Sequence, residues 1–161
     1  MPEAEAAVAG LRARGDPSAS AGVPAHITIL VPFMAAERIT AGVIRRAEAA
    51  LGTVPPFPFV LGRVCRWPET TFLLPEPSAP FVRLTRALVG AFPEFPPYGG
   101  KFPEIVPHLT VADANAGLAE EAESELRAIL EAHGPIASTC RAVELIENSS
   151  GLWKCCHVIM L

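Results

Sequence analysis

Apolar residues recur at three- and four-residue spacing in four stretches of the chain, which is the spacing of an amphipathic helix. A Gly or Pro follows the last turn of each stretch and ends the pattern. In the third stretch, Ser78 stands at the cap position and Pro80 lies in the first turn, as is common at helix starts. The predicted helices are residues 3–14, 37–51, 78–92 and 117–133.

Short runs of apolar and β-branched residues between these helices predict strands. The predicted strands are residues 26–33, 57–64, 70–74, 108–112, 136–146 and 152–161, with Glu144 pointing outward. The proline-rich stretch 93–107 forbids a long helix or a central strand, and it is either a wall facing a substrate or an ordinary surface connection. The order helix, strand, helix, strand, strand occurs twice, which predicts a duplicated α+β architecture.

Two of the predicted strands carry the same polar pattern. Each has a Pro, then a His, an apolar residue, a Thr and another apolar residue: His26 with Thr28 in the first, and His108 with Thr110 in the second. In a strand, the His and Thr of this pattern point to one face and their apolar neighbours to the other. Two of the four histidines therefore lie in matching positions, 82 residues apart (108 − 26). The matched pair indicates a shared functional site.

Composition narrows the range of partners. The chain has 161 residues, half of them hydrophobic, and a formal net charge of −4. This charge argues against a long, sequence-independent grip on nucleic acid, so a nucleic-acid substrate would be held at an end or as a small fragment. The sequence has neither a long uninterrupted apolar run nor a secretory leader, so a cytoplasmic protein without a membrane partner is expected. No Cys-x-x-Cys pair occurs, which favours buried free thiols at Cys65, Cys140, Cys155 and Cys156.

The two histidines and two threonines suit phosphodiester chemistry if the halves pack as pseudo-symmetric lobes of one domain. Histidine titrates near neutral pH, so one imidazole can act as a base while the other acts as an acid. The hydroxyl groups can donate hydrogen bonds to phosphate oxygens as negative charge builds on them. Two alternatives stay open: a metal site formed by His26, His108 and His157, and a module that binds a nucleotide or an RNA end without turnover.

Residues 23–33 and 98–110, which contain the two His-x-Thr motifs, resemble the motifs of the two-histidine phosphoesterase superfamily. This superfamily includes the bacterial 2'-5' RNA ligases and RNA 2',3'-cyclic phosphodiesterases. The resemblance implies a bilobal α+β fold in which two antiparallel sheets line a central cleft and helices lie outside. It also implies hydrolysis of 2',3'-cyclic phosphates to 2'-phosphates with no metal or other cofactor, and in some relatives 2'-5' ligation. Relatives usually begin with a strand before the first helix, so we expect either a first lobe that lacks this strand or a chain that is a shortened version.

The resemblance also assigns candidate roles to single residues. His26 and His108 take the two catalytic positions, although the motifs do not say which is the acid and which is the base. The candidates for substrate binding are Thr28, Thr110, Tyr98 and Lys101. The two threonines match the phosphate-holding positions of the motifs. The tyrosine and the lysine lie in the preceding loop, where substrate contact and ordinary solvation are equally expected.

Overall fold

A computed structural model describes all residues, 1–161, which form two compact units with interleaved segments. Unit 1 comprises residues 1–27, 58–77 and 108–138, and unit 2 comprises residues 28–57, 78–107 and 139–161. The helices are α1 (Pro2–Gly15), α2 (Pro17–Ser20), α3 (Ala41–Leu51), α4 (Ala79–Ala91) and α5 (Ala116–His133). The strands are β1 (Phe57–Arg66), β2 (Thr70–Glu76), β3 (Leu109–Asp113), β4 (Ile136–Cys140), β5 (Ala142–Glu147) and β6 (Lys154–Met160).

The strands form two antiparallel sheets, one with the order β3-β2-β1-β4 and one made of β5 and β6. The predicted α+β class with two antiparallel sheets is therefore confirmed. Each of the four long helices predicted from apolar spacing is present, and Glu144 is exposed as expected. None of the helices combines the length and the hydropathy that a membrane span would need.

In unit 1, α1 and α5 cover one face of the four-stranded sheet. They contact each other, both lie against β3, and α5 also lies against β2. Leu109 and Val111 of β3 are fully buried, as the alternating pattern predicts. The approach of α1 to β3 is so close that a Cβ at Gly15 would come within 2.8 Å of the Ala112 Cβ. On β2, Thr71 Oγ1 donates a hydrogen bond to the Ala119 carbonyl of α5 at 2.5 Å and joins helix to sheet.

The predicted strand at 26–33 is wrong. No residue from 26 to 35 belongs to a strand, and Ile27 and Ile29 are half-buried instead of forming a buried face. Pro24 and Pro32 lack the N–H that a strand ladder needs. Upstream of His26, side chains of α1 bind the backbone in place of a neighbouring strand. The matching sequence motifs therefore have different local structures.

Arg12 of α1 is the centre of these contacts, and it is only 1% exposed. Its Nη2 donates to the Val23 carbonyl at 3.0 Å and to Ser18 Oγ at 3.1 Å, and its Nε and Nη2 both bind Asp16 Oδ2. Its Nη1 lies 3.5 Å from Glu5 Oε2, and that carboxylate accepts a hydrogen bond from the Ala25 N–H. Backbone groups on both sides of Pro24 are therefore held by α1.

Several other boundaries also differ from the prediction. The strand predicted at 136–146 is interrupted at Arg141, where the chain leaves the first sheet and enters the second. The helix predicted from residue 37 begins only at Ala41, because Thr40 Oγ1 accepts a hydrogen bond from the Val43 N–H and caps it. All four thiols are free, but the predicted burial is wrong: Cys65 and Cys140 are half-buried, and Cys155 and Cys156 are exposed on a strand of the two-stranded sheet.

In unit 2, α3 packs against α4 and β6. The predicted apolar stripe of α4 is buried and ends in Phe92, which is 1% exposed. The Phe33 ring contacts the rings of Phe92 and Phe95 edge-on, with centroids 5.2 and 5.1 Å apart. The Arg46 guanidinium lies 4.6 Å from the centre of the Phe92 ring. An aromatic cluster therefore fixes the end of the segment that follows the first His-x-Thr motif.

We expect Arg12→Ala to lower the free energy of unfolding by about 3–5 kcal/mol, because it leaves the buried Asp16 carboxylate without its partner. Urea denaturation monitored by circular dichroism measures this loss. The matched control is Arg14→Ala, which removes an exposed ion pair with Glu125 and should cost less than about 1 kcal/mol. Equal losses in the two variants would contradict the anchoring role of Arg12.

Candidate active site

The second His-x-Thr motif has the predicted alternation. Thr110 lies opposite Phe72 of β2 in the strand register, and Leu109 lies opposite Leu73. Directly opposed residues share a face of the sheet, so Phe72 lies on the face of Thr110. Its ring also contacts His108, which stands just before the strand. Thr110 and His108 are half-buried, whereas Leu109 and Val111 point to the helices. The polar face of the motif is therefore turned away from the helices that cover the core.

Two aromatic side chains, Trp67 and Phe72, form what we call the aromatic wall of His108. Their ring centroids lie 4.9 and 5.4 Å from that of the imidazole, with interplanar angles of 79° and 63°. Trp67 belongs to the tight turn between β1 and β2, in which its N–H donates to the Thr70 carbonyl at 2.9 Å. The sheet and its hairpin thus bring an aromatic contact to a candidate catalytic ring.

His26 lies in the irregular segment of unit 1, and its Nδ1 is 2.9 Å from the Pro24 carbonyl. A carbonyl oxygen only accepts hydrogen bonds, so Nδ1 is the donor and carries the proton. The neutral ring then has its lone pair on Nε2. The backbone held by α1 thereby selects one tautomer of His26.

The pKa of His26 is lowered from its ordinary value of 6.5, mainly because burial disfavours the charged ring. The positive charges of Arg12 and His108 lower this pKa further, while the Pro24 hydrogen bond and the Asp16 carboxylate oppose the shift. Charge on His108 thus disfavours protonation of His26, and both histidines belong to unit 1. A neutral imidazole under the influence of a second imidazole is an arrangement suited to acid and base catalysis.

The other candidates for substrate binding, Thr28, Tyr98 and Lys101, belong to unit 2. Thr28 is half-buried, and Lys101 is exposed. Tyr98 has a left-handed backbone, with φ of 52°, and its N–H donates to the Val31 carbonyl at 2.5 Å. Its ring packs edge-on against Phe102 with centroids 5.6 Å apart, and burial raises its pKa. A left-handed backbone at a residue other than glycine is uncommon and often marks a functional loop.

The side chains form no group of three or more His, Cys, Asp or Glu residues arranged to hold a metal ion. In the metal alternative, His157 is the third ligand. Its Nε2 lies 3.2 Å from Glu48 Oε1, in a contact between β6 and α3.

A surface groove of about 510 Å³ lies beside the aromatic wall and shares Trp67 with it. In this groove the Glu123 carboxylate of α5 binds Arg66 Nε at 2.8 Å and Arg127 Nη2 at 2.7 Å. These contacts lower the pKa of Glu123, with the Arg127 hydrogen bond as the largest cause. The three charged groups tie the end of β1 to α5, next to the turn that carries Trp67. Neither histidine lines this groove.

Arg12 and the aromatic wall are not among the site residues that the sequence motifs predict. A signal for Arg12 was present, because it falls on the apolar face of α1 beside Val8 and stands four residues before Asp16. A cation on a buried helix face must be paired, so the pattern indicated an anchor. Trp67 carried no comparable signal, since a Trp in a turn is recognised as a contact to His108 only when the strand register is known.

The α+β fold and the two matching histidine motifs define the class of this protein. The comparison with protein families identifies the superfamily. The model of the 2'-5' RNA ligase superfamily matches residues 1–152. The chain belongs to this superfamily, which confirms the resemblance seen in the motifs. The matched range includes every candidate site residue. A search of the curated proteins finds no match.

We expect the shifted pKa of His26 to appear as a pH dependence of stability. The folded pKa lies below 6.5, so the stability associated with the neutral ring is complete above pH 6.5 and is lost as the pH falls through the folded pKa. Urea denaturation of the wild type and of His26→Gln from pH 8 to pH 5 measures the difference. The free energy of unfolding of the wild type, relative to the variant, should decrease toward acid. A constant difference would contradict the lowered pKa.

Proposed function

We propose that the protein is a metal-independent phosphodiesterase that hydrolyses the 2',3'-cyclic phosphate of a nucleotide or an RNA end to a 2'-phosphate. The observation that carries the proposal is the pair of histidines in unit 1, one of which has a lowered pKa and a defined tautomer. Membership of the 2'-5' RNA ligase superfamily supports RNA or nucleotide as the substrate class. With a 5'-hydroxyl in place of water, the same attack would form a 2'-5' linkage, and its reversal would cut one.

His26 is the general base in this proposal. Its neutral Nε2 accepts a proton from the attacking water, and the oxygen of that water forms a bond to phosphorus. His108 is the general acid, which donates a proton to O3' as the bond between phosphorus and O3' breaks. The products are a 2'-phosphomonoester and a 3'-hydroxyl, so atoms and protons balance. Each transfer is of the kind that typically contributes about 10²- to 10⁴-fold to the rate.

Thr28 and Thr110 are proposed to hold the phosphate. Thr110 lies in β3, two residues after His108, which stands just before the strand. Side chains two positions apart in an extended chain point the same way, which supports a shared site for its hydroxyl and the proposed acid. Hydroxyl donors stabilise the charge that builds on non-bridging oxygens in the transition state. We further propose that Tyr98 and the exposed cation of Lys101 contact the rest of the substrate, which the left-handed backbone of Tyr98 supports.

Purified protein assayed with a chelator present should convert nucleoside 2',3'-cyclic phosphates, or oligonucleotides ending in one, to 2'-phosphates. His26→Ala and His108→Ala should each lower kcat/KM at least about a hundredfold, because each removes one proton transfer. His133→Ala, at the exposed end of α5, is the matched control and should retain activity. Chromatography of the products measures the outcome.

Absence of product from every cyclic nucleotide and oligonucleotide tested would refute this assignment. Tight nucleotide binding without product would favour the non-catalytic module instead. Loss of activity on chelation would favour a metal-dependent reaction.

Replacement of the motif threonines tests the phosphate-holding role. Thr28→Val and Thr110→Val keep the side-chain shape but remove a donor to a charged oxygen, so the affinity for a nucleoside 2'-phosphate should fall about tenfold or more. Isothermal titration calorimetry measures this change, and Thr53→Val, at an exposed loop position, is the control. Affinity equal to that of the wild type would remove the threonine concerned from the site.

A further inference from the structure

We propose that Trp67 is a positioning residue for His108. Its ring holds the His108 imidazole in the orientation needed to protonate the leaving oxygen. This inference rests on the proposed function, since it assumes that His108 is the acid. Its basis is the edge-on contact between the two rings, with centroids 4.9 Å apart and planes at 79°. Nothing in the family match assigns a role to this tryptophan.

His108 stands just before β3, whose first residue is Leu109. The regular ladder therefore begins one residue after the histidine, and contacts with its side chain contribute to fixing the ring. Two of these contacts come from the aromatic wall, one from the Trp67 ring and one from the Phe72 ring. Edge-on aromatic contacts are directional, so they favour particular ring orientations as well as burying surface.

Trp67 is itself held firmly enough to orient a neighbour. Its N–H and carbonyl both bond to Thr70 across the turn, at 2.9 and 3.4 Å. Its ring lies on Phe72, with centroids 4.2 Å apart and planes at 38°, and Phe72 is only 3% exposed. The preceding residue, Arg66, is bound to Glu123 of α5. A hairpin end fixed on both sides thus carries the tryptophan to the histidine.

Burial of apolar surface alone does not account for a tryptophan at position 67. The residue is 40% exposed, so a large part of its apolar surface remains in water. A proton donor must lie close to its target in a narrow range of angles, and a displacement of 1 Å can cost about a hundredfold in rate. Losing the contact should therefore affect turnover more than substrate binding.

The kinetic test compares Trp67→Ala with Trp67→Phe on a nucleoside 2',3'-cyclic phosphate. We expect the alanine variant to lose about 10- to 100-fold in kcat with KM changed less than about twofold, because only the donor is displaced. The phenylalanine variant keeps an aromatic edge and should recover most of the loss. Trp153→Ala, at the other tryptophan of the chain, is the control and should leave kcat unchanged.

A loss confined to KM would overturn the inference and indicate that Trp67 binds substrate. An alanine variant as active as the wild type, with the same melting temperature, would overturn it as well. So would a phenylalanine variant that is as impaired as the alanine variant while its circular dichroism is unchanged. In each of these cases the wild type is active, so the proposed function stands.

A second measurement does not depend on activity. The chain has two tryptophans, so Trp153→Phe leaves Trp67 as the only indole emitter. A protonated imidazole in contact with an indole quenches its fluorescence, so the emission of Trp153→Phe should be lower at pH 5 than at pH 8. Adding His108→Gln should abolish this difference. A difference that persists in the double variant would show that His108 is not the quencher, and it would overturn the inference even if no substrate were known.

Discussion

The buried guanidinium of Arg12 is the interaction on which the first half of the candidate site depends. A cation that is 1% exposed is costly unless it is paired, and Arg12 is paired with Asp16 through two hydrogen bonds. The remaining contacts hold the Ser18 hydroxyl and the Val23 carbonyl, and through Glu5 they extend to the Ala25 N–H. Side chains of one helix therefore do for this segment what a neighbouring strand does for β3.

The same anchor also tunes the chemistry of His26. Its positive charge contributes to the lowered pKa of that ring, and the Asp16 carboxylate acts in the opposite direction. Burial is the larger cause, and it follows from the chain being held against α1. Positioning and electrostatics thus come from one set of contacts, so a change in Arg12 alters the stability of the segment and the protonation of His26 together.

The two histidines are held by different structural means. His26 is oriented by a hydrogen bond to the Pro24 carbonyl, in a segment without strand pairing. His108 precedes a regular strand and contacts Trp67 and Phe72. Two imidazoles in unlike surroundings can hold different protonation states at the same pH, which is what paired acid and base catalysis requires. Matching sequence motifs do not require identical environments.

The sequence by itself determined the four long helices, the alternation in β3, the match between the His26 and His108 motifs and the class of protein. These features follow from local spacing, because helix faces, strand faces and motif residues are all defined over a few neighbouring positions. Only the tertiary structure decided that the first motif is not a strand and that Trp67 contacts His108. Both depend on partners far away in sequence, since Arg12 must reach the Val23 carbonyl and the hairpin register must bring Phe72 opposite Thr110. Periodicity along the chain carries no information on such contacts, which exist only once helix and sheet have packed.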